Sequence, residues 1–322
     1  MGVELRECEP EDYEDLAKIV NAIYPEYRTT ADEMRYEDEN LDRTKYTMKR
    51  YVAVEREPEE VLAYGVYSHD PTMFHPRKFW MSINVHPGWQ WKGIGTQLYG
   101  RVFEDLRELG ATKLWSGARE DIASGVSFLQ KRGFHEKMRA WESWLDLPSF
   151  SFDRFSGYSE RVASRGTTFT TLREASEQDP DCYRKLYELH SSVMRDVPGP
   201  DTRTHLSFED FLKYDARHPN CLPDGYFLAK DGERYIGLSA LGRSQEEPKD
   251  AYQWLTGVHR DYRRKGFAMA LKLKVIEFAK DRGYHVIKTW NDSLNRGMLA
   301  VNEKLGFKRR VGWITFEKKV RE

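Results

Sequence analysis

The sequence predicts two copies of one α+β (mixed α/β) domain, each with a central mixed sheet flanked by helices. The chain has 322 residues, about twice the length of a typical single domain. The motif that contains Gly93 recurs around Gly266, and the same offset of 173 residues relates Gly133 to Gly306. In each half, apolar runs typical of strands precede a segment of helical periodicity. Together these observations indicate a duplicated domain.

The predicted elements follow the same order in both copies. Charged helices come first, over residues 11–22 and 181–193. The strand-like runs that follow cover residues 51–54, 61–67 and 79–85 in the first copy, and residues 226–229, 235–241 and 252–258 in the second. After each glycine motif, apolar residues recur at helical spacing: Leu98, Val102 and Leu106, and then Leu271, Val275 and Ala279. A short strand, a second helix and a final aromatic-rich strand close each copy.

The copies are separated by a segment rich in serine, glycine and charged residues. We therefore predict an N-terminal domain over residues 1–147, a connector over 148–167 and a C-terminal domain over 168–322. Residues 159–163 are expected to form a short helix within the connector.

Composition argues against several classes of partner. The chain carries 51 basic and 52 acidic residues that are interspersed, so nucleic-acid binding is not expected. It contains no apolar run long enough to span a membrane and no N-terminal signal pattern, so a cytoplasmic protein is expected. The three cysteines are widely spaced and form no metal-ligand pattern, so we expect reduced thiols and no bound metal.

Each glycine motif lies where a predicted strand meets a predicted helix. The first turn of a helix has amide N–H groups without intrahelical acceptors, and the helix dipole makes that end electropositive. A diphosphate fits such a site, and glycine lets it approach the backbone. Neither motif has the spacing of a P-loop or of a dinucleotide-binding fingerprint.

The two motifs resemble the acyl-CoA motif of the GNAT superfamily of N-acyltransferases, which is Gln/Arg-x-x-Gly-x-Gly/Ala. Gln90, Gly93 and Gly95 match it in the first copy, and Arg263, Gly266 and Ala268 match it in the second. The segments ending in Gly133-Phe134 and Gly306-Phe307 resemble the second CoA-contacting helix of that family. Each copy resembles this family over nearly its whole length, so that the two together account for nearly the whole chain. The fusion of two such domains resembles mycothiol synthase in architecture. It implies acetyl-CoA as co-substrate, bound between two splayed strands.

The resemblance assigns acyl-CoA contacts to both copies. In the first copy they are Val85, Gln90, Trp91, Lys92, Gly93, Ile94, Gly95 and Thr96. In the second copy they are Val258, Arg263, Arg264, Lys265, Gly266, Phe267, Ala268, Asn291 and Asn295. The asparagines favour the C-terminal copy as the active one, because the first copy lacks such a pair.

The catalytic residues remain open at this stage. Many members of the family have a tyrosine that protonates the leaving thiolate, but Leu129 and Asn302 occupy its two positions here. No carboxylate lies within the strand before either motif. Either other residues or water move the protons, or one copy has lost catalysis. We interpret His86 and His259 as residues that shape the strand ends rather than as bases.

The resemblance implies an N-acetyltransferase that acts on a primary amine of a small molecule or peptide. The segments 24–27 and 196–201 lie where the acceptor pocket is expected, although a rigid solvent-exposed loop explains the second equally well. A mycothiol synthase-like acceptor, a non-catalytic acyl-CoA-binding regulator and an interaction scaffold are the alternatives. The sequence does not indicate the oligomeric state or the acceptor.

Overall fold

The computed structural model describes residues 2–57, 59–163 and 166–320, and these form two compact units. The N-terminal unit contains the chain up to Met138, Pro200–Thr204 and the chain from Trp313 onward. The C-terminal unit contains Arg139–Gly199 and His205–Gly312. These units differ from the predicted domains 1–147 and 168–322, because most of the final strand of each repeat belongs to the other repeat's unit.

The described chain contains both strands and helices in each unit. The strands are β1 Val3–Glu7, β2 Met48–Arg56, β3 Glu59–Ser68, β4 Lys78–Val85, β5 Lys113–Arg119, β6 His135–Asp146, β7 Thr167–Thr171, β8 Phe227–Asp231, β9 Arg234–Arg243, β10 Asp250–Val258, β11 Val286–Asp292 and β12 Lys308–Lys319. The helices are α1 Tyr13–Ile23, α2 Ala31–Asn40, α3 Ile94–Glu108, α4 Ala123–Gln130, α5 Tyr158–Ala163, α6 Leu172–Gln178, α7 Cys182–Met194, α8 Phe208–Phe211, α9 Phe267–Asp281 and α10 Arg296–Leu305. A π-helical turn, Leu212–Ala216, continues α8. The predicted α+β class is confirmed, and α5 provides the helix expected in the connector.

The sheet of the N-terminal unit has the strand order β1-β2-β3-β4-β5-β12. Neighbouring strands from β1 to β4 are antiparallel, and β12 runs antiparallel to β5. Strands β4 and β5 are parallel and pair only where Lys78–Trp80 faces Lys113–Trp115. Both strands continue beyond that point, so a wedge opens between them toward Val85 and Arg119.

The sheet of the C-terminal unit repeats this arrangement in the order β7-β8-β9-β10-β11-β6. Strands β10 and β11 are parallel and pair where Asp250–Tyr252 faces Val286–Lys288. Strand β6 runs antiparallel to β11, so it holds the place that β12 holds in the other unit. Strand β10 differs from β4 in having a register shift against β9 between Gln253 and Thr256.

The long helices that follow the glycine motifs pack on the sheets through the positions predicted from sequence. Leu98, Val102 and Leu106 of α3 are fully buried in the core of the N-terminal unit. Leu271, Val275 and Ala279 of α9 are fully buried in the C-terminal unit. This spacing of four residues places one apolar stripe on the sheet, and its burial stabilises the helix more than local propensity does.

Two observations bear on the expectations from composition. Among the described residues, no helix is long and apolar enough to cross a membrane. The three cysteines, Cys8, Cys182 and Cys221, form no disulfide bond with one another.

Lys272 is an unusual residue in the core of the C-terminal unit. It is the sixth residue of α9 and is only 1% exposed. Its Nζ donates a hydrogen bond of 3.3 Å to Oε1 of Gln253 and lies 4.9 Å from the ring centroid of Phe307. Burial lowers the pKa of Lys272 to about 7. The side chain therefore binds its proton less tightly in the folded chain than in the unfolded chain.

This shift predicts that stability depends on pH through Lys272. Between about pH 7 and about pH 10.5 the unfolded chain binds a proton that the folded chain lacks, so the free energy of unfolding rises with pH by at most ~1.4 kcal/mol per pH unit. We expect Lys272→Met to raise the melting temperature near neutral pH and to reduce its increase from about pH 7.5 to about pH 9.5. Lys304→Met, at an exposed position of α10, is the matched control. An equal increase in wild type and Lys272→Met would contradict the prediction.

Candidate active site

The glycine loop of the N-terminal unit connects β4 to α3, and side-chain hydrogen bonds and left-handed backbone angles fix its conformation. His86 accepts a hydrogen bond of 3.2 Å from the amide of Gly88, which supports the interpretation that this histidine shapes the strand end. The Gln90 side chain donates to the carbonyl of Val85 at 3.1 Å and closes the loop. Trp91 has a φ of 66° and Gly93 a φ of 85°, after which α3 begins. Gly93 is required here because the left-handed conformation disfavours residues with a side chain.

This path leaves a row of amide donors at the start of α3. Among the described residues, the amides from Trp91 to Gly95 donate no backbone hydrogen bond. A Cβ built on Gly93 would meet no atom within 4 Å, so the space in front of the loop is open. Arg132 lies beside it and donates to Oγ1 of Thr96 at 2.8 Å. Unpaired amides, the helix dipole and a guanidinium group together suit a diphosphate.

A cavity of about 510 Å³ begins at this loop. Its lining includes most of the predicted contacts of the first copy: Val85, Gln90, Trp91, Gly93, Gly95 and Thr96. Two other predicted residues contribute differently. The Ile94 side chain is buried in the core, so only its backbone faces the loop, and the Lys92 ammonium group lies over the ring of Trp89 at 4.0 Å.

The cavity passes through the wedge between β4 and β5. Successive side chains of a strand point to opposite faces of the sheet, and residues from both faces line the cavity. Ile83 and Ala118 belong to the face that packs against α3, whereas Asn84 and Gly117 belong to the opposite face. A molecule bound at the loop can therefore reach the other side of the sheet.

On that other side the cavity meets the end of α1. Tyr24 and Arg119 line it there. Arg119 donates to Glu26 at 3.0 Å and binds Asp121 through two hydrogen bonds of 2.7 and 3.0 Å. Burial, the largest single influence, would raise the pKa of the Glu26 carboxyl, but the hydrogen bond from Arg119, a backbone hydrogen bond and the positive charge of Arg119 together lower that pKa from its ordinary value. Burial raises the pKa of the Tyr24 hydroxyl.

The loop of the C-terminal unit has nearly the same backbone. Arg264 has a φ of 61° and Gly266 a φ of 94°. Nε of Arg263 donates to the carbonyl of Val258 at 2.9 Å, as Gln90 does in the other unit. His259 accepts from the amide of Asp261 at 3.4 Å, and Lys265 donates to the Asp261 carbonyl at 2.9 Å. The repeated sequence motif thus gives the two loops nearly the same backbone conformation.

The surroundings of this second loop are different. A Cβ built on Gly266 would lie 2.9 Å from Oη of Tyr158 and 3.2 Å from Cγ2 of Val162, both on α5. The connector helix therefore covers the side of the loop that is open at Gly93. Arg263 is also engaged by Asp196 at 2.5 Å, a carboxylate that it shares with Arg260. Of the other predicted residues, Phe267 is buried in the core and Ala268 packs beside it.

The wedge of the C-terminal unit contains larger side chains. Trp290 is the fifth residue of β11, the position that Gly117 holds in β5, and it stacks on Tyr252 with ring centroids 5.9 Å apart. Met298 is the third residue of α10, where α4 has Gly125. Both residues are larger than the glycines at the equivalent positions of the N-terminal unit.

The predicted asparagine contacts have partners inside the C-terminal unit. Nδ2 of Asn302 donates to Oδ1 of Asn291 at 2.6 Å. Oδ1 of Asn295 accepts from the amide of Met298 at 3.3 Å and caps α10. These contacts explain both asparagines structurally, and their role in binding acyl-CoA stays a prediction. The feature that favoured the C-terminal copy therefore no longer distinguishes it.

Other residues singled out in the sequence have positions that clarify their roles. Leu129 is buried and lines the cavity. Asp196 binds arginines of the C-terminal unit, whereas Asp201 binds Lys78 at 2.6 Å in the N-terminal unit. Sequence reasoning missed Gly117 and Arg119. A glycine inside a strand signals close approach of another group, and that signal was available at Gly117.

Comparison with known proteins agrees with this geometry. The acetyltransferase (GNAT) family matches the chain twice, over residues 13–134 and 183–307. An uncharacterized N-acetyltransferase of Methanocaldococcus jannaschii is 33% identical over 158 residues, which cover 47% of this chain and 67% of that protein. A mycothiol acetyltransferase of Thermobispora bispora is 23% identical over 70% of this chain and 71% of its own length.

Among solved structures, a tandem GNAT protein from the clavulanic acid biosynthesis pathway has the same fold. Its TM-score is 0.74 at 16% sequence identity, and the match covers 100% of this chain and 99% of that one. The resemblance inferred from the glycine motifs is confirmed. This chain is an acetyltransferase and belongs to the acetyltransferase (GNAT) family, whose domain it contains twice.

Proposed function

We propose that the N-terminal unit binds acetyl-CoA and transfers its acetyl group to a primary amine of a small molecule or peptide. One observation carries this proposal: a continuous cavity runs from the amide-lined loop at Gly93, through the wedge between β4 and β5, to the opposite face of the sheet. The diphosphate would bind at the loop and the thioester would lie in the wedge. The amine would approach from the side of Tyr24. A cytoplasmic location, expected from the sequence, belongs to the same proposal.

The reaction requires few specialised groups. A neutral amine attacks the thioester carbonyl, the N–C bond forms and the C–S bond breaks. One proton leaves the nitrogen and one proton reaches the departing sulfur, so charge and atoms balance. Thiolate is a good leaving group near neutral pH, because a thiol pKa of about 8.5 is far below that of an amine or alcohol. Leu129 at the position of the missing tyrosine is therefore compatible with turnover, with protons exchanged through water.

The N-terminal assignment revises the preference for the C-terminal copy that the asparagines suggested. In the C-terminal unit α5 covers the loop, and Trp290 and Met298 stand where the N-terminal unit has glycines. Family membership and the named N-acetyltransferase relatives favour an enzyme over a regulator that only binds acyl-CoA. Similarity to mycothiol acetyltransferases makes an amine on a thiol- or sugar-containing metabolite a reasonable acceptor to test.

Binding stoichiometry tests which loop holds the coenzyme. We expect titration calorimetry with acetyl-CoA to give one site per chain. Gly93→Val should weaken binding at least ~100-fold, because a β-branched side chain cannot adopt the left-handed backbone that presents the amides. Gly266→Val is the matched control, since its φ is similarly positive, and it should retain binding within about threefold wherever circular dichroism shows a folded chain. Two sites, or binding lost only in Gly266→Val, would contradict the assignment.

Turnover tests the reaction itself. With acetyl-CoA and a panel of primary amines, wild type should release CoA thiol in proportion to N-acetylated product. Gly93→Val should lose at least ~99% of this rate through failure to bind the coenzyme, whereas Gly266→Val should keep most of it. Thiol detection and mass spectrometry of the product measure the two sides of the reaction. Binding of acetyl-CoA without turnover of any amine would count against the proposed activity.

A further inference from the structure

We infer that the acceptor is a primary amine carried on an aromatic or similarly flat apolar group, and that Gly117 provides the space for this group. The inference rests on the proposed function, since it names the acceptor of the same cavity. It follows from three features of the acceptor side: a hollow at Gly117, aromatic walls beside it and an acidic balance of charge.

The hollow lies in the floor of the cavity. Gly117 is exposed although it lies in the middle of a paired strand, and a Cβ built on it would meet no atom within 4 Å. Thr315 is its register partner on β12, so no large side chain stands directly opposite. In the C-terminal unit the same position holds Trp290, whose ring stacks on Tyr252. An indole therefore fits this position of the fold, and in the N-terminal unit Gly117 leaves room at the same position.

Aromatic rings stand next to the hollow. Tyr24 lines the cavity and is half-buried. The Tyr24 ring centroid is 5.3 Å from that of Trp313, and Tyr27 lies 5.9 Å from the same tryptophan. Trp313 pairs with Arg119 on β5, so it is two residues along from Thr315 and on the same face as Gly117. Flat ligands gain from offset or edge contacts with such rings beyond simple area burial.

The charges on this side select for a cation and against an anion. Arg119 is bound by two carboxylates, Glu26 and Asp121, so the three groups carry a net charge of −1. Because these carboxylates already bind the guanidinium group of Arg119, it has little remaining capacity to bind a carboxylate or phosphate of the acceptor. Among the described residues that line the cavity, the other cations are Lys131 and Arg132, which follow α4 near the coenzyme loop. The acceptor side thus carries a small acidic excess, which attracts an amine in its ammonium form.

The experiment fills the hollow with the residue that the other unit carries. We compare wild type, Gly117→Trp and the control Gly297→Trp, an exposed glycine of α10 with no atom near its Cβ position. Calorimetry measures binding of 2-phenylethylamine, n-butylamine, glucosamine and glutamate to the chain saturated with CoA. The thiol-release assay gives kcat/KM for the same amines.

Wild type should bind 2-phenylethylamine at least ~10-fold more tightly than n-butylamine, and should bind glutamate weakest of the four. In the CoA-saturated chain, Gly117→Trp should weaken 2-phenylethylamine binding and kcat/KM at least ~100-fold, a larger change than in the Kd for acetyl-CoA. Gly297→Trp should change neither. Tighter binding of glucosamine or glutamate, or unchanged binding in Gly117→Trp, would overturn the inference. Because amine binding is measured separately from turnover, failure of the acceptor assignment is distinguishable from failure of the acetyltransfer.

Discussion

The early separation of β4 from β5 is the constraint on which the N-terminal site depends. The two parallel strands share only three paired positions, after which their backbones need other partners. On one side of the gap the glycine loop and α3 present amide donors, and on the other side Tyr24 and Arg119 face the opening. Parallel strands normally stay paired because unpaired backbone groups are costly. A coenzyme with an amide-rich pantetheine arm, bound as proposed, would supply the missing hydrogen bonds.

The two units share one backbone design but surround its glycine loop differently. The two loops have similar dihedral angles, and each has a histidine that shapes the strand end. In each, a side-chain N–H group closes the loop by donating to the last carbonyl of the strand. They differ in a few side chains and in the connector helix. Trp290 replaces Gly117 in register, Met298 replaces Gly125, and Tyr158 stands over Gly266. Binding at such a loop therefore depends on the open space around it as well as on the groups that the loop presents.

The sequence was sufficient to predict much of the fold because the informative signals are local. Helical spacing placed Leu98, Val102 and Leu106 on the core, and the glycine spacing indicated a strand-to-helix turn with exposed amides. It could not predict that α5 covers the second loop or that the final strands are exchanged, since both depend on contacts distant in sequence. Asn291 and Asn295 illustrate the same limit. An asparagine that caps a helix or bonds to another asparagine looks in sequence like one that contacts a ligand.

The exchange of final strands has a consequence for how this polypeptide can be divided. A fragment that ends at the connector would contain β5 but not β12, so the edge of β5 that pairs with β12 would be left unpaired. This strand also forms one side of the candidate site. Such edges readily recruit another chain, through aggregation or through swapping of a β-ribbon between molecules. Cutting the chain at the connector therefore separates each repeat from a strand that completes its sheet.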